Sequence, residues 1–319
     1  MVAAVLPVTT VRRMDGANPL RERVVIWANA AAGRREAPAI ADRIEHVARQ
    51  IGHDVEVVAD EHVDAAVELA RRAIERSIHR LIVVGGDGTI HHAVQVVAGT
   101  DTVLGIVPAG SGNDFGAALG LPTERDAAID ASFGDPAPVD AIRVGDRWAA
   151  TVVTAGLSVA VTVRAQQLSW IPGGAKYTAA ALLEIPRLRR YPMELIVDGE
   201  RHDIAPNLLA VANTSRFGGG MLIAPDAEHD DGLLDIVTLG PTNRRTMLRL
   251  LPSAGRGGHI GHRAVTVRRG RRIEIVSAHP HRIDGDGEAL TTTPTVIESV
   301  RGALLVAGVT PRRRPSPDV

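Results

Sequence analysis

Two stretches of the chain carry residue types suited to gripping phosphate. The first is Gly85-Gly86-Asp87-Gly88-Thr89, after the run Leu81-Ile82-Val83-Val84. The second is Pro108-Ala109-Gly110-Ser111-Gly112-Asn113-Asp114-Phe115-Gly116, after the apolar residues 103–107. In each, an apolar, β-branched run stops in glycine and restarts with helical spacing, at Ile90, Ala93, Val94 and Val97 and at Phe115, Ala118 and Leu119. Glycine permits positive φ and close approach of a ligand to the backbone. The free N–H groups of a helix start, and successive N–H groups of a turn, attract an anion. An Asp in such a cradle repels phosphate unless a divalent cation lies between them. One such turn is more simply a tight turn with a helix cap. Two in tandem, at the carboxyl ends of neighbouring strands, point to a shared nucleotide site.

Two acidic clusters lie further on. In Phe217-Gly218-Gly219-Gly220-Met221 and Pro225-Asp226-Ala227-Glu228-His229-Asp230-Asp231-Gly232-Leu233-Leu234-Asp235, several carboxylates crowd a single loop. Hard oxygen donors suit Mg2+ or Ca2+. By spacing alone, a hairpin turn with solvated acids accounts for them equally well. Ile283-Asp284-Gly285-Asp286-Gly287-Glu288 is likewise a strong turn signal. The histidine pairs His91-His92, His259 with His262, and His279 with His281 match no zinc-protease spacing and read as surface or loop residues. No Gly-x-x-x-x-Gly-Lys-Ser/Thr motif occurs, which excludes a P-loop enzyme.

The tandem motifs at 85–89 and 108–115 resemble the signature of the diacylglycerol kinase catalytic-domain family, which includes bacterial soluble lipid kinases and the sphingosine and ceramide kinases. The first motif also resembles turns in NAD kinases and phosphofructokinases; the second narrows the choice. The resemblance spans residues 23–309. It implies an α/β N-terminal domain with a parallel sheet, NAD kinase/diacylglycerol kinase-like, and a mostly β C-terminal sandwich. It implies ATP- and Mg2+-dependent phosphorylation of a lipid hydroxyl, foremost diacylglycerol to phosphatidic acid. Gly85, Gly86, Gly88 and Thr89 would hold phosphate, with Gly110, Ser111 and Asn113 in the second turn and Asn29 and Gly33 in an earlier one. There the family has Asn-Pro-x-x-Gly, and here Ala30 replaces the proline. Asp87 would position Mg2+, and Glu288 of Asp286-Gly287-Glu288 would act as general base. A structural Mg2+ would take Asp230, the carbonyl of Leu233 and Asp235, with Asp231 as the alternative to Asp230. Two other readings remain: an NAD kinase-like enzyme, and a nucleotide- or lipid-binding protein without catalysis.

The elements that must position these residues can be read in order. A strand is expected over 23–29, a helix over 38–51 closed by Gly52, a strand over 54–59 and a helix over 63–77 with Val63, Val67, Leu69, Ala70 and Ile74 inward. The two glycine turns follow, then a helix over 123–133 capped by Thr123 and a hinge at 134–138. The β-α alternation implies a parallel sheet. Beyond it, strands are expected at 139–144, 148–154, 193–197, 208–213, 233–239, 264–269 and 272–277, interrupted by helical text near 159–186 and 242–251. A strand at 304–309 would return to the first domain. The domains are therefore 1–20 as a lead-in, 21–138, 139–300, and 301–319 as the returning strand and tail.

With 319 residues and a formal net charge of −1, there is room for two domains and no basic excess for nucleic acid. Cysteine is absent, which fits a cytoplasmic protein. No apolar run is long enough to span a membrane. Residues 168–190 and 242–263 place apolar side chains beside arginines, a pattern suited to an anionic lipid surface. The partner expected is a lipid substrate at that surface, with peripheral membrane association, and a homodimer is compatible with this reading.

Overall fold

The apolar runs of the first half become parallel strands covered on both faces. The computed structural model describes residues 21–29, 36–60, 63–168, 170–171 and 174–310. In chain order come β1 (Arg23–Asn29), α1 (Ala37–Gln50), β2 (Asp54–Asp60), α2 (Val63–Glu75), β3 (Arg80–Gly85), α3 (Asp87–Val97), β4 (Val103–Pro108), α4 (Asp114–Ala118) and α5 (Arg125–Ser132). β1 pairs in parallel with β2 and β3, and β3 with β4. Val25 and Trp27 of β1 pack towards α2 and α3, while Val24, Ile26 and Ala28 pack towards α1 and α5. With both faces buried, β1, β3 and β4 read as continuous apolar runs, whereas β2, at the edge of the sheet, alternates.

The second half contributes β5 (Pro136–Val144), β6 (Arg147–Ala149), β7 (Val152–Gly156), α6 (Leu157–Gln167), α7 (Ala175–Glu184), β8 (Met193–Val197), β9 (Glu200–Ile204) and β10 (Leu208–Ala212). Then follow β11 (Arg216–Phe217), β12 (Met221–Leu222), β13 (Leu234–Leu239), α8 (Arg244–Ala254), β14 (Val265–Gly270), β15 (Arg272–Val276), β16 (Arg282–Gly285), β17 (Glu288–Thr292) and β18 (Thr295–Ala307). One antiparallel sheet has the order β14-β13-β10-β7-β16-β17. The other runs β2-β1-β3-β4-β18-β15-β8-β9, with β5 paired to β18 and to β6. Leu195, Ile273 and Ile297 of this larger sheet pack against Val153, Leu209, Ile236 and Ile283 of the smaller one, forming the sandwich core.

β18 belongs to both halves. Its start pairs with β15 (Glu298 opposite Arg272) and its end lies parallel to β4 (Leu305 opposite Val103). Residues expected as a hinge run straight into β5, where Pro136 pairs with Ala307. The halves are thus joined by a shared sheet.

Four local expectations change. The strand expected over 148–154 is broken into β6 and β7, because the N–H groups of Ala150 and Thr151 turn away to donate to the Asp286 carboxylate. The helix expected from Thr123 starts later: Glu124 caps α5, its carboxylate accepting from Asp126 and Ala127 N–H. On α2 the buried residues are Ala66, Ala70 and Ala73, while Leu69 is exposed. β9, β11, β12, β16 and β17 had no counterpart in the sequence reading, since their text is short or polar. Among the described residues no helix is long and apolar enough to cross a membrane.

Candidate active site

Because β3 and β4 are adjacent and parallel, both glycine turns emerge at the same sheet edge. They touch there. A Cβ added to Gly86 would lie 2.9 Å from Gly110 Cα, and one added to Gly110 would lie 2.4 Å from Gly86 Cα, so neither position admits a side chain. Asn113, at φ 56°, closes the second turn on itself: its Oδ1 accepts from Gly110 N–H at 3.1 Å and its Nδ2 donates to Gly110 O at 2.9 Å. Gly86, Gly88, Thr89, Gly110 and Ser111 line the cleft in front of the turns; Gly85 and Asn113 sit behind it. Asn29 ends β1 on the same edge, while Gly33 and Ala30 lie outside the described residues.

Asp87 opens α3 and reaches over to the second turn, where it accepts from Phe115 N–H at 3.4 Å. Burial, and then the charge of Asp114, push its carboxyl up to about 6. Asp114 in turn accepts from Gly219 and Gly220 N–H, both at 2.7 Å. Gly218, Gly219 and Gly220 have φ of 65°, 86° and 102°, a left-handed run that only glycine takes readily and that aims successive N–H groups at one carboxylate. The triglycine therefore belongs to the cleft, not to the acidic loop with which it shares a stretch of sequence.

The facing wall comes from the second half. The Asp286–Gly287 turn reaches the cleft and leads into Glu288, the first residue of β17. Tyr177 of α7 lies between the walls: burial, then the charges of Asp87, Asp114 and Glu288, hold its phenol above the usual range. Lys176 Nζ sits 5.2 Å from the Tyr177 ring centroid. Asp87 lines the cleft, whereas Glu288 does not: it follows the Asp286–Gly287 turn that does, and the charges of both carboxylates reach the Tyr177 phenol. Its volume is about 840 Å³. From the glycine turns it extends past Thr154 to an apolar gallery walled by Leu157, Val161, Leu239, Met247, Leu250 and Leu251.

Two family descriptions match the chain: the diacylglycerol kinase catalytic domain over residues 23–144, and the YegS C-terminal NAD kinase beta sandwich-like domain over residues 151–308. A Mycobacterium tuberculosis protein named diacylglycerol kinase is 36% identical over 263 residues, covering 79% of this chain and 84% of that protein. The chain belongs to the diacylglycerol kinase family of lipid kinases. A Chromohalobacter salexigens relative of this family, named "Probable lipid kinase YegS-like", is 32% identical over 278 residues, covering 85% of this chain and 87% of that one. A crystal structure from Bacillus anthracis str. Sterne shares the fold, with a TM-score of 0.75 at 21% identity over 90% of this chain and 96% of that one.

In this lipid kinase the acidic loop lies apart from the cleft: none of Asp230, Asp231, Leu233 and Asp235 lines it. Asp231 pairs with Arg269 and accepts from Leu233 N–H at 2.8 Å. Asp235 Oδ1 stands 3.4 Å from Arg269 Nε, while Asp235 Oδ2 is buried with no hydrogen-bond partner. Burial pushes the Asp235 carboxyl up, although Arg269 opposes this. Among the described residues no group of three or more His, Asp or Glu side chains is arranged to hold a metal.

The structure also moves two histidines that read as surface residues. His91 is buried against Asp286, and His259 is buried with its Nε2 3.1 Å from Ile223 O. Tyr177, Lys176 and Thr154 reach the cleft without any motif in the sequence that marks them for it.

The Asp87 shift has a sign that can be measured. Its folded value lies above the unfolded one, so the stability tied to its protonated form is present below about pH 4 and lost as pH rises through about 6. In nucleotide-free protein, Asp87→Asn is expected to melt ~3–8 °C above wild type at pH 8, the gap narrowing as pH falls through about 6 and closing only below about pH 4. A gap independent of pH in thermal melts would contradict this.

Proposed function

We propose that the chain is an ATP- and Mg2+-dependent kinase that converts diacylglycerol to phosphatidic acid, working from the cytoplasm at a membrane surface. The observation that carries this reading is the continuity of the cleft: glycine turns at one end, an apolar gallery at the other, and the Asp286–Gly287 turn, which leads into Glu288, on its wall. An amphipathic alcohol fits such a space, and relatives at 36% and 32% identity bear lipid kinase names. A dinucleotide acceptor would set charge and sugar against the gallery, which argues against the NAD kinase-like reading. The presence of Asp87 on the cleft, with Glu288 next to the Asp286–Gly287 turn that lines it, argues against a binding protein without catalysis.

The backbone N–H groups at the start of α3 and the Gly110–Ser111 turn hold the nucleotide phosphates. The divalent cation, when bound, neutralises charge on the phosphates and so lowers the cost of transfer. Its fit rests on Asp87, whose half-buried carboxylate beside Asp114 is a charge short of a cation. The gallery takes an acyl chain, which places the glycerol hydroxyl between Glu288 and the turns. Glu288 accepts the hydroxyl proton as the oxygen attacks phosphorus, a role worth about 100- to 10,000-fold in rate.

Outside the cleft, Asp235 Oδ2, Asp230 and the Leu233 carbonyl are hard donors suited to a structural Mg2+, with Arg269 already neutralising Asp231. The face that meets lipid is formed by exposed Trp170, Leu182, Leu183 and Leu248, with exposed Arg244, Arg245 and Arg249 on α8 beside them.

Three measurements test these assignments. With labelled ATP, phosphate is expected on diacylglycerol in mixed micelles and not on NAD, and Glu288→Gln should lower kcat about 100-fold or more while leaving ATP affinity intact; transfer to NAD alone would end the lipid reading. Millimolar Mg2+ should raise the melting temperature of nucleotide-free protein, and Asp235→Asn should abolish that rise; an equal rise in the variant removes the loop from metal binding. Reversing the charges of Arg244, Arg245 and Arg249 should weaken binding to anionic vesicles by roughly 1 kcal/mol or more per residue, and unchanged sedimentation with such vesicles would exclude α8 as the contact.

A further inference from the structure

His91 lies one helical turn beyond Asp87 on α3, and its side chain is fully buried. Its Nδ1 is 3.1 Å from Asp286 Oδ2, a contact between residues 195 positions apart and between the two halves of the protein. The Asp286 carboxylate also accepts from Ala150 N–H at 2.9 Å, Thr151 N–H at 2.8 Å and Thr151 Oγ1 at 2.6 Å. Burial pushes this carboxyl up, but the bonds from His91, Thr151 and Ala150 outweigh it and hold the group below its ordinary range. An ionised carboxylate only accepts, so His91 Nδ1 carries the hydrogen and donates. The opposite ring nitrogen, Nε2, is buried with no hydrogen-bond partner.

That orphan nitrogen is informative. Neighbouring inward positions on α3 are Ile90, Ala93 and Val94, and an apolar residue at 91 would leave nothing unsatisfied. The imidazole is kept for what Nδ1 does. Asp286 and Gly287, at φ 54° and 88°, are the two left-handed residues of the hairpin turn between β16 and β17, and Glu288 follows at once. Ala150 and Thr151 hold this turn from the second half of the chain. His91 holds it from the helix whose first residues form the phosphate turn. We propose that His91 is a positioning residue: through Asp286 it fixes how far Glu288 stands from the phosphate turn at the start of α3. This rests on the kinase reading, in which Glu288 meets the acceptor hydroxyl.

The fold does not depend on this one bond. Gln95, a turn further along α3, independently ties the helix to β6, donating to Trp148 O at 2.6 Å and accepting from Trp148 N–H at 3.0 Å. His91→Ala is therefore expected to melt near wild type and to bind ATP with Kd changed less than about 3-fold, yet to lose about 100-fold in kcat, the cost of a misplaced reacting group. KM for the lipid should stay near wild type. His91→Asn, whose amide N–H falls near the place of Nδ1, should recover kcat to within a few fold, whereas His91→Gln, whose amide reaches the place of Nε2, should not. Wild-type kcat in His91→Ala, with Glu288→Gln impaired, overturns the positioning role and leaves the kinase reading standing. Wild-type kcat in Glu288→Gln overturns that reading's choice of base, and the positioning role with it. Should the alanine variant fail to fold, equal kcat in the Asn and Gln variants overturns the proposal.

Discussion

Gly86 and Gly110 meet at their α-carbons, with no room for a methyl group on either. That contact brings the starts of α3 and α4 together, and much of the cleft follows from it. Asp87 can span from one turn to the N–H groups of the other only because the turns are in contact. Asp114 then extends the chain of contacts to Gly219 and Gly220, and Gly219 packs against the backbone of Gly174 at the start of α7. Backbone meets backbone at each end of this series because glycine removes the side chains that would hold the segments apart. Two carboxylates, Asp114 buried and Asp87 half-buried, lie in the middle of it as a consequence, and both are pushed up from their ordinary range. On the proposed reading, a divalent cation beside Asp87 would relieve the electrostatic cost of this arrangement.

What could be read from the sequence was local. β1, β3 and β4 are apolar through their middles because helices cover both faces, and the glycine turns announce themselves within a few residues. The second half was harder. β16 and β17 are a short hairpin of polar text, and the break between β6 and β7 exists only because Asp286, 136 positions beyond Ala150, captures its N–H. Asp114 finds Gly219 across 105 positions, so the triglycine reads as part of the acidic loop that follows it in sequence. His91 looks like a solvent-facing residue until Asp286 is brought against it. Periodicity reports which face of an element is buried, and it carries no information on which distant element does the burying.

The same limit applies to charge. Arg269 reads as one more basic residue at the end of a strand, but it lies against both Asp231 and Asp235. It neutralises part of a loop that would otherwise concentrate like charge. From composition alone, the loop looks more strongly anionic than the folded protein leaves it.

The apolar gallery carries the last step. Among the residues of α8, Met247 alone is fully buried, while Leu250 and Leu251 are half-buried and face the cleft. Met247 packs with Leu157, Ile185 and Leu239 in one buried cluster, and Val161, Leu250 and Leu251 pack against it. Apart from Ile185, the same residues wall the apolar gallery of the cleft. Such surface is costly in water and gains when an acyl chain fills it, at about 25 cal/mol per Å². On the proposed reading an acyl chain of the substrate would extend this cluster along the gallery. Binding free energy gained there, away from the reacting centre, would then be available to hold the hydroxyl at the glycine turns.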